Sequence, residues 1–141
     1  MSEVRVNGVI PSRVGEVWAV AGDFGGIAGW VPALAKSELA PGATGSQVGD
    51  VRSCTIDGGP TLTENQTARS DADYTYTYDI PENPLPMKNY ESTISLRAQG
   101  EQTLLEWTAS FDATGPEDEV VGMVEGLYQA GIDSLKQRFG G

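Results

Sequence analysis

"PEDEVVGMVEGLYQAGIDSLKQRF", residues 116 to 139, carries the pattern on which the fold turns. Pro116 suits the first turn of a helix, where its missing N–H is no loss, and Glu117, Asp118 and Glu119 complement the positive end of the helix dipole. Lys136 and Arg138 complement the negative end, ahead of Gly140 and Gly141. Val121, Val124, Tyr128, Ile132, Leu135 and Phe139 form one apolar stripe. At 1.5 Å per residue the helix is about 36 Å long, comparable to the width of a small domain, and is expected to lie across a whole sheet. Gly122, Gly126 and Gly131 interrupt it, each at a cost of about 0.5–1 kcal/mol relative to Ala. Two readings fit: close packing against neighbouring elements, or room for a ligand between helix and sheet.

Upstream of that helix the pattern has period two. Turn chemistry recurs at 41–45 (PGATG), 57–60 (DGGP), 70–73 (SDAD), 81–86 (PENPLP) and 99–101 (QGE). The turns divide the region into strands near 34–40, 48–56, 61–69, 73–80, 88–98 and 102–112. Connections this short favour antiparallel pairing, because parallel neighbours need long crossovers. At the other end, residues 3–10 alternate as a strand with Val4 and Val6 on one face, Pro11 ends it, and Ser12 is placed to cap a helix through Ala21. A second short helix is expected from about Phe24 to Trp30, stopped by Pro32. The first strand then joins an edge of the same sheet. The fold class is α+β: a seven-stranded antiparallel sheet, two short helices after its first strand, and one long C-terminal helix.

The 141 residues match one domain, expected to span 1–141. The net charge of −11 repels phosphate backbones, so nucleic acid is not an expected partner. No run approaches the roughly 18 apolar residues that cross a bilayer, and MSEVRVNGVI lacks a basic-then-apolar leader, so no membrane insertion is expected and a cytoplasmic location is. The sequence has no histidine, which removes the commonest general base and every Ser-His or Cys-His arrangement. No metal or other cofactor is expected, since no Cys or His cluster or calcium-loop spacing occurs. Cys54 stands alone and reads either as an ordinary buried thiol or, with no basic partner evident, as a weaker candidate for a nucleophile.

Strand parity then assigns the faces. Leu105, Trp107, Ala109 and Phe111 form one apolar set; Tyr90, Ser92, Ile94 and Leu96 form another; Tyr74, Tyr76, Tyr78 and Ile80 a third. Alternate tyrosines often mean simple half-buried packing, yet with Ser92 and Tyr128 they give more hydroxyls than a dry core needs. That is the profile of an apolar pocket with a few orienting polar groups. Arg52 shares parity with Cys54 and Ile56, and Glu64 with Leu62 and Gln66. Either Arg52 and Glu64 pair inside across adjacent strands, or they are two solvent-facing charges at strand ends.

The order of elements, with "VWAVAGDFGGIAGWVPAL" at 17–34, "GDVRSCTIDGG" at 49–59, "TENQTARSDADYTYTYDI" at 63–80, "NYESTISL" at 89–96 and "TLLEWTASFDA" at 103–113, resembles the birch-pollen-allergen and START-like superfamily (SRPBCC), which includes polyketide cyclase/dehydrase and lipid-transport proteins. The resemblance covers nearly the whole chain. It implies a helix-grip fold, in which a curved sheet wraps the long helix and leaves an elongated hydrophobic cavity whose entrance is framed here by 57–60 and 82–88. It implies polar contacts from positions matching Glu64, Tyr90 and Ser92, with Arg52 nearby. The acidic position of the family's plant hormone receptors that aligns with Trp107 is apolar here, so hormone binding is not carried over. In "DFGGIAGWVP", 23–32, the kinase-like Asp-Phe-Gly lacks every partner motif; Phe24, Ile27 and Trp30 are expected to pack at the cavity mouth.

Three functional classes follow. The first is a binding or carrier protein for a small hydrophobic, aromatic or polyketide-like molecule, contacted by Trp30, Cys54, Ile56, Tyr76, Tyr78, Tyr90, Ser92, Trp107 and Tyr128. The second is a metal-free cyclase, dehydratase or lyase in the same cavity, with Glu64, Arg52 and Tyr90 as the acid-base and charge-stabilising candidates. The third is a protein-interaction helper. Monomer and homodimer are both open.

Overall fold

The computed structural model describes residues 1–140. In chain order, β1 (Ser2–Ile10) is followed by α1 (Val14–Ala21), a 3-10 helix (Phe24–Gly29), β2 (Leu34–Leu39), β3 (Val51–Ile56), β4 (Thr61–Ser70), β5 (Thr75–Ile80), β6 (Met87–Gln99), β7 (Gln102–Ala113) and α2 (Glu117–Arg138). The strands form one seven-stranded sheet in the order β1-β7-β6-β5-β4-β3-β2, every neighbouring pair antiparallel. The tight turns connect neighbours as expected, and β1 closes the edge beside β7. This is the α+β helix-grip arrangement.

Local chemistry differs from expectation in three places. Arg13, not Ser12, is the N-cap of α1, and the Ser12 hydroxyl instead donates to the Glu16 carboxylate. On α2 the buried positions are Val120, Val124, Tyr128, Gly131, Ile132 and Leu135, so Val120 replaces Val121 on the inward stripe. Spacings of four and three keep one face turned inward, and Val121 lies a further 100° round the helix. Tyr74 was expected on the inward face of β5. It precedes the strand with φ of 54° and, half-buried at the margin of the core, packs edge-on against Trp18, ring centroids 6.0 Å apart.

A bulge matters more. The β6–β7 register shifts between Lys88 and Glu91, and Asn89 there has φ of 56°. Residues 87 and 90 differ in parity, yet both Met87 and Tyr90 are buried. The bulge turns both inward.

The helix does not sit centrally on the sheet. It packs chiefly along β1 and also touches β7. Gly8 makes the approach possible, because a Cβ there would stand 2.6 Å from Ile132 Cγ2. Farther along α2, a Cβ on Gly131 would lie 3.1 Å from Trp107 and 3.2 Å from Trp30, so this glycine answers to close packing. Gly122 and Gly126 meet nothing within 4 Å, and Gly126 borders the cavity described below. Close packing therefore accounts for Gly131, while Gly122 and Gly126 face open space. Gly122→Ala is expected to stabilise the protein by about 0.5–1 kcal/mol, the helix-propensity difference, whereas Gly131→Ala gains nothing net because two indoles must move. Chemical denaturation of the two variants checks the contrast; a destabilised Gly122→Ala would refute it.

Candidate functional site

With the helix held against β1, the inward faces of β3–β6 are left partly uncovered. A cavity of about 440 Å³ lies between them and α2, and its walls are almost wholly apolar. Ile27 and Val31 close one side, Val124 and Leu127 of α2 another, and Ile56, Pro60, Leu85 and Met87 come from the β3–β4 and β5–β6 ends. The volume is in the range that takes a small organic molecule.

The polar wall begins at a buried ion pair. Arg52 on β3 and Glu64 on β4 are directly opposed in the register, which puts both on the inward face. Arg52 Nε donates to Glu64 Oε1 at 2.8 Å; Nη2 is 2.6 Å from the same oxygen but off the line of a hydrogen bond. Nη1 donates to the Phe24 carbonyl oxygen at 2.9 Å and to the Tyr76 hydroxyl at 3.2 Å. The guanidinium lies over aromatic rings, its carbon 4.1 Å from the Phe24 ring centroid and 4.6 Å from that of Tyr78. Arg52 is fully buried and does not line the cavity; Glu64, 5% exposed, does. The two are thus paired inside, not solvent-facing at strand ends. Oε1 is occupied by Arg52, which leaves Oε2 as the oxygen free of the ion pair, with the Cys54 thiol beside the carboxylate.

Beside this carboxylate runs a directed chain of hydroxyls. The Trp107 indole N–H donates to Ser92 Oγ at 2.9 Å, and Ser92 Oγ donates to the Thr108 carbonyl oxygen at 2.9 Å. With its one proton engaged, Ser92 must accept from the Tyr128 hydroxyl 2.8 Å away. Tyr128 in turn accepts from Tyr90, and Tyr90 from Tyr78 at 3.4 Å. Burial pushes Tyr78, Tyr90 and Tyr128 well above the ordinary phenol value, with neighbouring phenols adding to it, so all are neutral near pH 7. The Trp107 ring stacks on Tyr128 at 3.9 Å, 6° from parallel, and holds that hydroxyl in place.

Of the residues read from the sequence, Ile56, Glu64, Tyr78, Tyr90, Trp107 and Tyr128 line the cavity. Arg52, Cys54, Tyr76 and Ser92 stand behind that lining as supports, and Trp30 packs on Trp107 outside it. Burial, with Glu64 close by, pushes the Cys54 thiol up to about 12, so it remains an unreactive thiol. Of the expected mouth residues Ile27 lines the cavity, but Phe24 is buried under Arg52 and Trp30 under Trp107. Nothing in the sequence singles out Asn83. It lines the cavity from the β5–β6 loop, its Oδ1 accepting from the Leu85 N–H at 2.9 Å and its buried Nδ2 lacking a partner. The Pro-flanked turn marked the loop but not which side chain it turns inward.

Fold and cavity together define a helix-grip protein with an apolar chamber between its sheet and its last helix. The chain belongs to the polyketide cyclase/dehydrase and lipid transport family, whose model matches residues 1–140. No curated protein matches it. Among solved structures it is similar to XoxI from Bacillus cereus, with 29% identity over 99% of this chain and 96% of that one and a TM-score of 0.89. An uncharacterized protein from Bacillus thuringiensis shows 28% identity, 98% coverage of both chains and a TM-score of 0.87. The di-domain ARO/CYC protein BexL of the BE-7585A biosynthetic pathway shares the fold at 10% identity and a TM-score of 0.79, over 97% of this chain and 46% of that one. Among the described residues, no helix is long and apolar enough to cross a membrane.

Proposed function

We propose that the protein binds a small, mainly apolar molecule, aromatic or polyketide-like in character, in the cavity between β3–β6 and α2. The observation that carries this is an apolar chamber of about 440 Å³ with a buried carboxylate and a hydroxyl chain on one wall. Membership of the family supports the same reading. Asn83, which lines the cavity, has a buried Nδ2 without a partner, and a dry structural core would not leave it so, because an unpaired buried donor is costly.

The test is a fluorescence titration with the neutral probe N-phenyl-1-naphthylamine. Saturable one-to-one enhancement is expected, and Leu62→Trp, which places a larger ring in the cavity wall, is expected to weaken it at least tenfold while the circular dichroism spectrum stays native. Absence of saturation, or equal binding by the variant, would refute the proposal.

A second reading, acid-base catalysis on such a molecule, is favoured by one feature. Glu64 offers the cavity a carboxylate oxygen while Arg52 fixes the other, the geometry of a general base positioned from behind. In that reading Arg52 is a positioning residue, and Tyr90, inside the hydroxyl chain, is a proton donor only if the chain rearranges. Loss of turnover with retained ligand affinity in Glu64→Gln would separate an enzyme from a carrier.

A further inference from the structure

Resting on the reading of the cavity as a binding site, the polar wall narrows what can occupy it. We infer that the occupant is an uncharged molecule whose polar end donates a hydrogen bond to Glu64, a phenol or alcohol rather than a carboxylic acid or an ether.

The hydroxyl chain supplies the first half of the argument. Its direction is set at the Thr108 carbonyl and leaves every proton from Tyr78 to Ser92 engaged within the protein. The wall therefore presents oxygen lone pairs, not free O–H groups. Tyr78, whose 3.4 Å link is the loosest, could turn its proton to a ligand only by giving up its bond to Tyr90. The Glu64 carboxylate, which lines the cavity, adds a stronger acceptor. A ligand that only accepts finds nothing to accept from on this wall, whereas a hydroxyl can make a charge-assisted hydrogen bond to the Glu64 carboxylate.

Charge supplies the second half. No Lys or Arg lines the cavity among the described residues. The nearby cation, Arg52, is engaged by Glu64, the Phe24 carbonyl and Tyr76, lies over the Phe24 and Tyr78 rings and is fully buried. An entering carboxylate would meet Glu64 with no counter-charge within reach. An ammonium would meet a carboxylate already balanced by Arg52 and would bring its own desolvation cost. Neutral donors are the class that remains. Asn83 Nδ2, the buried donor without a partner, comes from the β5–β6 loop, while Glu64 lies three residues in from the start of β4. An acceptor elsewhere on the same molecule could meet it there without altering the preference at Glu64.

Calorimetric titration at pH 7 with 2-naphthol, 2-methoxynaphthalene and 2-naphthoate separates the classes on one ring system. 2-Naphthol is expected to bind about tenfold or more tightly than either of the others, the increment of one hydrogen bond to a charged acceptor. In Glu64→Gln its advantage over the ether should shrink to about threefold or less. If that variant fails to fold, the wild-type ranking decides by itself. Equal or tighter binding of the ether or the naphthoate overturns the inference. So does failure of all three while N-phenyl-1-naphthylamine still saturates, which would leave the cavity reading intact. If that probe fails as well, the cavity does not bind such molecules, and the inference falls with the reading beneath it.

Discussion

Arg52→Met is expected to lower the unfolding free energy by about 3–5 kcal/mol, and Arg52→Met/Glu64→Leu to recover most of that loss. Removing one member of a buried ion pair strands the other, and the penalty is the uncompensated charge more than the lost bond. Here the stranded group is Glu64, 5% exposed, with Phe24 and Tyr78 left around the hole where the guanidinium lay. The Phe24 carbonyl and the Tyr76 hydroxyl lose their donor in the same step. Replacing both charges with apolar side chains removes the desolvation cost along with the attraction, so the double variant should be far nearer wild type than the single one. Urea titrations of wild type, both single variants and the double variant complete the cycle. A single-variant cost below about 1 kcal/mol would mean the pair is wet, and a double variant as unstable as Arg52→Met would mean that packing, not charge, holds this corner.

Above pH 9 the protein is expected to lose stability steeply and to unfold cooperatively in alkali before its buried tyrosines ionise. Burial raises Tyr76, and raises Tyr78, Tyr90 and Tyr128 further, above the ordinary 10.0; it moves Cys54 from 9.0 to about 12. For such groups the folded protein keeps protons that the unfolded chain releases. Below pH 9 both states are protonated and the contribution to stability is complete. As pH rises past 9 for the thiol and 10 for the phenols, the unfolded chain sheds protons, the folded one does not, and stability falls until the folded values are reached. Each fully withheld proton costs about 1.4 kcal/mol per pH unit, so several such groups acting together erode a stability that is typically only about 5–15 kcal/mol for a small domain. Absorbance at 295 nm and circular dichroism followed together against pH check this, since phenolate should appear with the loss of structure. Full tyrosine ionisation with an intact spectrum would show that the hydroxyl chain is open to water.

The sheet's inward faces were legible because side-chain direction in a strand alternates by geometry alone. Parity placed Leu105, Trp107, Ala109 and Phe111 together, and it placed Arg52 and Glu64 on one face. Parity alone does not reach Met87 beyond the bulge, and it misplaces Tyr74. The bulge at Asn89 and the positive φ at Tyr74 depend on how neighbouring strands meet, and a single strand's pattern holds no record of that.

The candidate site divides in the same way. Residue types and parity pointed to a polar wall of tyrosines, a serine and one ion pair in an apolar face. They could not say which of these reach the open space and which stand behind it. Arg52, Cys54, Tyr76 and Ser92 have inward parity, as Glu64 and Tyr90 do, and differ only in depth.

By itself the sequence determined the order of elements, the antiparallel meander, the long last helix and most of the inward positions on the central strands, because turn chemistry and periodicity are local properties of the chain. Only the tertiary structure decided that α2 leans on β1 through Gly8, that the cavity therefore opens over β3–β6, and that Glu64 rather than Arg52 meets it. Those outcomes depend on where one element comes to rest on another, and that is set by packing between residues far apart in the chain.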